Sequence, residues 1–222
     1  MGINIAIDGP AGAGKSTIAK MIAGKLGFIY VDTGAMYRAM ALYLIRENVL
    51  PSETARIDTK CQEADITIGY ENGEQIVYLN GENVNGLIRT EEVGNMASAS
   101  SPNPNVRRKL VELQRKLASD KDVVMDGRDI GTCVLPDAQV KVYLTADSAV
   151  RAKRRYKELE ERGVFCNLEE IEKDIIERDR QDMTREISPL MQAADAVLVD
   201  SSDMTIEEAV DAVIALVKAL RV

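Results

Sequence analysis

The amino-acid sequence predicts an α/β fold built on a five-stranded parallel sheet flanked by helices. Short apolar runs alternate along the chain with longer amphipathic segments, an order typical of strands that are joined by helical crossovers. Each run is apolar at nearly every position, as expected of strands buried on both faces. The predicted strands are residues 3–8, 28–32, 123–126, 140–145 and 196–200.

The first predicted strand leads directly into a glycine-rich turn and a helix predicted over residues 15–26. The turn, GPAGAGKST at residues 9–17, matches the pattern G-x-x-x-x-G-K-[ST]. Backbone N–H groups and the helix N-terminus favour a phosphate chain in such a turn. A glycine-rich turn that only packs is the alternative. The position between strand and helix favours nucleoside triphosphate binding and a sheet of the P-loop NTPase type.

Every residue of this loop is a candidate contact for ATP. Lys15 is predicted to reach the outer phosphates, and Ser16 is predicted to bind Mg²⁺. Kinases, GTP switches and ATP-driven machines all use a loop of this kind, so the loop leaves the recipient of the phosphate open. The predicted ATP-binding residues are Gly9, Pro10, Ala11, Gly12, Ala13, Gly14, Lys15, Ser16 and Thr17.

Composition limits the classes of partner. The 222 residues are enough for one domain with a small insert, and the formal net charge of −8 disfavours non-specific binding to nucleic acid or anionic membranes. The sequence contains no histidine, which excludes imidazole catalysis. Cys61, Cys133 and Cys166 are too widely spaced for a disulfide framework or a zinc cluster. Without signal-peptide or transmembrane patterns, we expect a cytoplasmic protein, and we expect a monomer because no long apolar surface stripe remains unassigned.

A small antiparallel insert interrupts the alternation after the strand at 28–32 and a helix predicted over 35–47. Residues 65–70 and 74–79 are predicted strands joined by an Asn72-Gly73 turn, and residues 82–85 could add a third strand. Two interpretations remain open for this insert. It is either a surface decoration or a mobile flap over a second substrate.

A charged turn follows the next helix and strand, which are predicted over residues 105–119 and 123–126. Asp126, Arg128 and Asp129 lie in the turn DGRD at the carboxyl end of that strand, the edge where open α/β sheets bind ligands. Asp126 is predicted to hold Mg²⁺ through water, and Arg128 to clamp a phosphate. An internally paired Asp/Arg turn is the alternative.

The remaining elements are a strand at 140–145, helices at 148–162 and 168–181, a strand at 196–200 and a helix at 205–220. Thr205 and Glu208 form a predicted capping box for the last helix. Two arginine clusters lie in the helices at 148–162 and 168–181. Solvated faces and helix-end salt bridges would explain most of these residues, but phosphoryl transfer also needs several cations around the migrating group.

Taken together, several short motifs resemble the bacterial cytidylate kinases. They are DTGAMYR at 32–38, IRTEEV at 88–93, DGRDIGT at 126–132, LPDA at 135–138 and ERDRQD at 177–182. The resemblance follows the same order over nearly the whole chain. The insert resembles the enlarged acceptor-binding region of the bacterial enzymes.

This resemblance implies the nucleoside monophosphate kinase fold and an activity in pyrimidine nucleotide metabolism. ATP would phosphorylate CMP or dCMP by direct in-line transfer, with Mg²⁺, to give CDP or dCDP. The chain would form a single domain over residues 1–222, with a core at 1–35 and 120–222. An acceptor-binding region would span about 36–119, with the β insert at about 62–90, and a lid would span about 151–167.

The resemblance also assigns residues. Arg38, Arg128 and Arg185 would hold the CMP phosphate, while Arg178 and Asp182 would contact the pentose. Ser98, Arg107 and Asp129 would read the cytosine edge, with Thr33 nearby. Arg151, Arg154 and Arg155 would lie on the lid side, where one or two would close on the ATP phosphates. The implied catalytic residues are Lys15, Arg128, Arg154 and Arg185.

Other functions remain as alternatives. Kinases for UMP, AMP or shikimate share the loop, so only the base-reading residues and the insert separate them from a CMP kinase. A GTP switch normally carries an Asn-Lys-x-Asp segment, and no asparagine here is followed by lysine. A non-enzymatic ATP-binding regulatory module would have no reason to arrange arginines on the acceptor side.

Overall fold

The computed structural model describes residues 2–161 and 163–219. Arg162 and Leu220, which end two of the predicted helices, lie outside the described residues, as do the chain ends of the predicted domain. The elements of the first part of the chain are β1 (Asn4–Asp8), α1 (Lys15–Leu26), β2 (Ile29–Asp32), α2 (Thr33–Arg46), α3 (Thr54–Glu63), β3 (Ile66–Glu71), β4 (Glu74–Leu79), β5 (Glu82–Asn83), α4 (Glu91–Ser100) and α5 (Pro104–Ala118). They are followed by β6 (Val123–Gly127), a π-helical turn (Ile130–Val134), β7 (Val140–Thr145), α6 (Ser148–Glu161), α7 (Leu168–Thr184), β8 (Val197–Asp200) and α8 (Ile206–Ala219).

The predicted five-stranded parallel sheet is confirmed. Its strand order is β2-β6-β1-β7-β8, and all four pairings are parallel. The central strand β1 pairs Asp8 with Gly127 of β6 and with Tyr143 of β7. The carboxyl ends of these strands therefore meet at one edge, where the glycine-rich loop leaves β1 and the DGRD turn leaves β6.

Alternate residues of the central strands pack on opposite faces. Ile5 and Ile7 of β1 join a buried cluster with α1 and α8, whereas Ala6 packs into the other cluster with α2 and α5. Successive side chains of a strand point to opposite faces, so a strand covered by helices on both sides is apolar throughout. Burial of the strands on both faces therefore explains the apolar runs in the sequence.

The helix boundaries differ from those predicted where a side chain caps the helix. Helix α2 begins at Thr33 rather than at residue 35, because the Asp32 carboxylate accepts the Ala35 N–H at 2.9 Å. Helix α5 begins at Pro104, a residue suited to the first helical position. The Thr205–Glu208 capping box is confirmed, since the Glu208 N–H donates to the Thr205 hydroxyl at 3.2 Å.

Two helices and the π-helical turn were not predicted. Only Ile57 and Cys61 of α3 are buried, which leaves a weak apolar stripe in the sequence. Helix α4 carries Gly94 and several small polar residues, which lower helix propensity. Helix α7 continues to Thr184, three residues beyond the predicted end.

The insert is a small antiparallel sheet of order β3-β4-β5, as predicted. Asn72 and Gly73 both have positive φ, of 51° and 80°, as in the hairpin turn that an Asn-Gly pair favours. The third strand, Glu82–Asn83, is shorter than the predicted 82–85. The Asn85 side chain takes over the pairing there, because its Oδ1 accepts the Val77 N–H at 2.9 Å.

Among the described residues, no helix combines the length and the apolar character that crossing a membrane requires. Cys61, Cys133 and Cys166 are free thiols.

The turn from β1 into the glycine-rich loop is tightly restricted. Gly9 has φ of 152°, and a Cβ added there would lie 1.9 Å from the Leu144 carbonyl oxygen of β7. Asp8 is buried, and its carboxylate accepts the N–H groups of Ile130 and Gly131, each at 2.7 Å. The loop is thereby attached to both neighbours of the central strand.

Replacing Gly9 by alanine should destabilise the protein and distort the loop. The added Cβ would collide with backbone, and the φ value is unfavourable for alanine, so we expect a loss of more than about 1 kcal/mol in the free energy of unfolding. Urea unfolding measures this change, with Gly24→Ala as the matched control. Gly24 lies in α1 with open space around it, so alanine there should stabilise the helix by about 0.5–1 kcal/mol. Equal effects of the two substitutions would contradict the close approach at Gly9.

Candidate active site

The phosphate-loop lysine is buried and rests on its own loop. Gly12 and Gly14 have φ of 75° and 85°, which turns the chain from β1 into the first turn of α1. Lys15 Nζ donates to the Pro10 carbonyl at 2.7 Å. Burial, reinforced by nearby Arg128, lowers the pKa of Lys15 to about 7. A bound polyanion would favour the charged ammonium, so this cation is placed for phosphate.

The two predicted metal-binding residues are in direct contact. Ser16 Oγ donates to Asp126 Oδ2 at 2.9 Å, and the Tyr30 hydroxyl donates to Asp126 Oδ1, also at 2.9 Å. Burial and the neighbouring Asp32 raise the pKa of Asp126 to about 6. Mg²⁺ prefers oxygen ligands and is commonly held by one or two carboxylates together with substrate phosphates. A hydroxyl and a buried carboxylate beside the loop therefore fit this ion.

Among the described residues, no group of three or more acidic or cysteine side chains is arranged to hold a metal ion. The site would therefore need oxygen ligands from the nucleotide to complete the coordination of Mg²⁺.

The β insert is tied to the edge of the site through β2. Gln75 makes two hydrogen bonds to the backbone of Asp32: its Oε1 accepts the N–H at 2.8 Å, and its Nε2 donates to the carbonyl at 3.2 Å. The Tyr70 hydroxyl donates to the Tyr30 carbonyl at 3.2 Å. Arg89 pairs with the Asp32 carboxylate at 2.9 Å. The insert therefore supports the residues that surround Asp126.

A second group of charges lies on the acceptor side. The carboxylate of Asp129 is paired with Arg107, and both side chains are buried. Its other oxygen lies 3.4 Å from Arg185 Nη2. The guanidinium of Arg107 also lies over the Tyr37 ring, 5.8 Å from its centroid, in a cation–π contact. The structure thus brings together three residues that the sequence separates widely.

The same network continues to α7. Arg128 Nε donates to Asp182 Oδ2 at 2.7 Å, and Arg185 Nη1 lies 3.8 Å from Asp182 Oδ1. Arg178 lies one helical turn before Asp182 on α7 and is exposed. Arg128 is therefore paired within the protein, but not inside the DGRD turn as the alternative interpretation expected. Its partner is Asp182, which comes from another element of the fold.

Other predicted acceptor residues occupy different environments. The Thr33 hydroxyl is buried and donates to the Asp126 carbonyl at 2.7 Å. Arg38 lies on α2, and burial together with the nearby arginines lowers its pKa below the usual value. Ser98 lies half-buried on α4. Arg38 is thus part of a concentration of positive charge, whereas the Thr33 hydroxyl already has a partner.

The three arginines predicted for the lid have different partners. Arg154 Nη2 donates to the Ser201 carbonyl at 2.6 Å, which places this predicted catalytic residue beside the loop after β8. Arg155 pairs with Glu158 on the helix surface at 2.8 Å. Arg151 is buried, and its Nη1 donates to the Ala11 carbonyl in the phosphate loop at 2.8 Å.

The arrangement suits transfer of a phosphoryl group between two anions. One set of cations and backbone N–H groups surrounds the glycine-rich loop, and a second set of arginines lies beside it at the same sheet edge. Fixed positive charges on both sides can hold two phosphate groups close together and stabilise the charge that develops between them.

Sequence reasoning did not assign Tyr30, Gln75 or Asp179 to the site. Tyr30 is the second of the four residues of β2, away from the carboxyl end where open sheets bind ligands, so its position did not indicate it. No local pattern identifies Gln75 or Asp179, because their partners lie in distant parts of the chain.

Comparison with known proteins agrees with this geometry. The sequence-family model described as Cytidylate kinase matches residues 5–219. A cytidylate kinase from Caldicellulosiruptor saccharolyticus is 50% identical over 214 residues, which cover 96% of this chain and 95% of that protein. A cytidylate kinase from Lactobacillus gasseri is 50% identical over 208 residues, which cover 94% and 90%, respectively.

A solved structure of shikimate kinase from Bacteroides thetaiotaomicron has a TM-score of 0.50 and covers 97% of this chain and 98% of that one. Its sequence identity is 14%, so this likeness concerns the fold alone. The family match and the extended sequence identity together lead to one conclusion: the chain belongs to the cytidylate kinase family.

Proposed function

We propose that this protein transfers the γ-phosphoryl group of ATP to CMP, and also to dCMP, to give ADP and the corresponding diphosphate. Its relatives over nearly the full chain are named cytidylate kinase. The observation that carries the proposal is the linked group of charges beside the phosphate loop. These residues are Arg107, Arg128, Asp129, Asp182 and Arg185.

The reaction is a direct in-line displacement. An oxygen of the CMP phosphate attacks the γ-phosphorus, and the new O–P bond forms as the bond from that phosphorus to the β–γ bridging oxygen breaks. ADP leaves with the electron pair of the broken bond. A phosphate oxygen is already nucleophilic near neutral pH, so no side chain has to remove a proton from it. The protein contributes position and fixed charge.

Lys15 is proposed to move from the Pro10 carbonyl to the outer phosphates of ATP. The N–H groups of the glycine-rich loop would surround the phosphate chain. Ser16 would ligate Mg²⁺ and Asp126 would hold it through water, and the ion would neutralise charge on the phosphates. Tyr30 would orient the Asp126 carboxylate through their hydrogen bond.

The acceptor phosphate is proposed to bind Arg38, Arg128 and Arg185. A guanidinium fork suits a phosphate, because it can donate two parallel hydrogen bonds. Binding would draw Arg128 partly away from Asp182, whose freed oxygen could accept from a pentose hydroxyl. Arg178 lies on the same face of α7 and would support that contact.

The base is proposed to be read by Asp129 with Arg107 and Ser98. An ionised carboxylate can only accept hydrogen bonds, so it matches the exocyclic amine of cytosine and opposes the carbonyl that uracil carries there. Arg107 and Arg185 hold the carboxylate from two sides. Its orientation is therefore fixed before the base arrives.

Closure of the lid is proposed to exclude water from the transferring phosphoryl group, because water that reached this group would hydrolyse ATP. The lid would span about 151–167, with the acceptor-binding region at about 36–119 and the core in the remaining chain. Arg154 would have to leave Ser201 to reach a phosphate. We expect a monomer that binds neither nucleic acid nor membrane.

The first test is ADP formation from ATP and Mg²⁺ with one acceptor at a time: CMP, dCMP, UMP, AMP, GMP or shikimate. We expect turnover mainly with CMP and dCMP, because Asp129 can accept a hydrogen bond from the exocyclic amine of cytosine, whereas uracil carries a carbonyl at that position. A reaction without acceptor is the control. ADP release that is independent of the acceptor, or preference for another acceptor, would contradict the proposal.

Asp129→Asn should narrow the preference for CMP over UMP. The asparagine amide can donate to the uracil carbonyl, so the ratio of kcat/KM values should fall by about ten- to a hundredfold. Asp137→Asn removes an exposed carboxylate from the neighbouring loop and should leave the ratio unchanged. An unaltered ratio in Asp129→Asn would place base recognition elsewhere.

The pKa of Lys15 predicts how ATP use depends on pH. The free protein loses the ammonium charge as pH rises through about 7, and ATP binds the charged form. We therefore expect kcat/KM for ATP to fall about tenfold per pH unit above that pKa. At saturating ATP, the bound phosphates stabilise the ammonium, so kcat should persist to higher pH. A flat kcat/KM profile from about pH 6 to about pH 9 would contradict this role of Lys15.

A further inference from the structure

A buried ion pair joins α6, which carries the first part of the proposed lid, to α7, which follows the lid. Arg151 of α6 and Asp179 of α7 approach to 2.6 Å, and their side chains are 7% and 11% exposed. Neither residue has a phosphate contact in the proposed function. A buried pair of this kind is stable only when additional hydrogen bonds satisfy both groups, so its remaining partners are informative.

Two of those contacts are with the phosphate loop. Asp179 Oδ1 accepts the Ala11 N–H at 3.1 Å, and Arg151 Nη1 donates to the Ala11 carbonyl at 2.8 Å. Arg151 Nε donates to the Ala146 carbonyl after β7 at 2.7 Å. The loop also lies directly on α6, since a Cβ at Gly12 would be 3.3 Å from the Arg151 Cβ. One residue of the loop is therefore held on both sides by the pair.

The Pro10–Ala11 peptide group is held from its two ends by opposite charges. Its carbonyl accepts from Lys15 Nζ at 2.7 Å, and its N–H donates to Asp179. When Lys15 moves to a phosphate, the carbonyl loses its charged partner. The hydrogen bond from the N–H to Asp179 then remains to fix the orientation of this peptide.

Arg151 is held in this arrangement through its Nε and Nη1 groups. Both N–H groups of its Nη1 have partners, Ala11 and Asp179, and its Nε–H is bonded to Ala146. A guanidinium has five N–H donors, and three of them are used in this way. Movement of Arg151 onto a phosphate would release the loop.

We propose that Arg151 and Asp179 are positioning residues, which fix the Pro10–Ala11 peptide and connect α6 and α7 to the phosphate loop. The loop keeps its anion-binding shape while Lys15 changes partners. A shift of α6 or α7 is transmitted to Ala11 through the pair. This inference uses ATP binding, so it does not depend on the identity of the acceptor.

The decisive variant is Asp179→Asn, because two explanations predict opposite signs. If the carboxylate acted only through its charge, its removal would strengthen binding of the ATP polyanion. If it positions the loop, the neutral side chain no longer fixes Arg151, and binding should weaken by about ten- to a hundredfold. Isothermal titration with Mg²⁺ and ATP, without acceptor, measures the dissociation constant. Unchanged or tighter binding would overturn the proposal.

Arg151→Lys is the second variant and keeps the charge. A lysine can pair with Asp179 but cannot also reach Ala11 and Ala146 with a planar fork, so we again expect weaker ATP binding. Glu177→Gln is the matched control, since it disrupts the exposed Glu177–Arg180 pair on the same helix. It should leave ATP binding unchanged.

CMP binding, measured separately by titration, distinguishes positioning from general support of the fold. The proposal expects CMP affinity close to that of the unaltered protein in both variants. Parallel loss of ATP and CMP affinity, or failure of both variants to fold, would make the pair a structural support and overturn the proposal. If the unaltered protein does not bind CMP, the proposed acceptor fails, whereas the ATP comparison still decides the role of the pair.

Discussion

The close packing where β1 ends is the constraint on which the rest of the site depends. Gly9 passes so near the Leu144 carbonyl that no side chain fits between them. Asp8 bonds the π-helical turn after β6 through two backbone N–H groups. The phosphate loop and the turn that carries Asp129 are consequently attached to one buried carboxylate and one glycine. This junction therefore sets the distance between the donor and acceptor sides of the site.

The charges of the site are arranged for ligands that bring the opposite charge. Burial raises the pKa of Asp8 and of Asp126 to about 6, and lowers that of Lys15 to about 7. Each of these groups is therefore less stable in its charged form than it would be in water. A nucleotide with its metal ion supplies compensating charge to Asp126 and Lys15. These buried groups thus favour ligands that bring compensating charge, in a chain that has no histidine.

Sequence reasoning identified the features that depend on local pattern. The strands, the phosphate loop and the Asn72-Gly73 turn follow from periodicity and from the conformations that glycine and asparagine allow. It failed where the pattern is weak or the partner is distant. Helix α3 has only two buried residues, and Ile130–Val134 looks like an apolar run although it forms a π-helical turn. Arg151 has the sequence context of a surface arginine, yet Asp179 and Ala11 bury it.

The strand order has a consequence for synthesis on the ribosome. Strand β1 emerges first, but both of its neighbours come late: the Ile3 N–H bonds a carboxylate 119 positions away, and β7 follows β6. At about 5–20 residues per second, that interval lasts on the order of ten seconds. During this time an apolar strand and the glycine-rich loop have no sheet to join. The nascent chain therefore completes the sheet around its nucleotide site only after β6 and β7 have been synthesised.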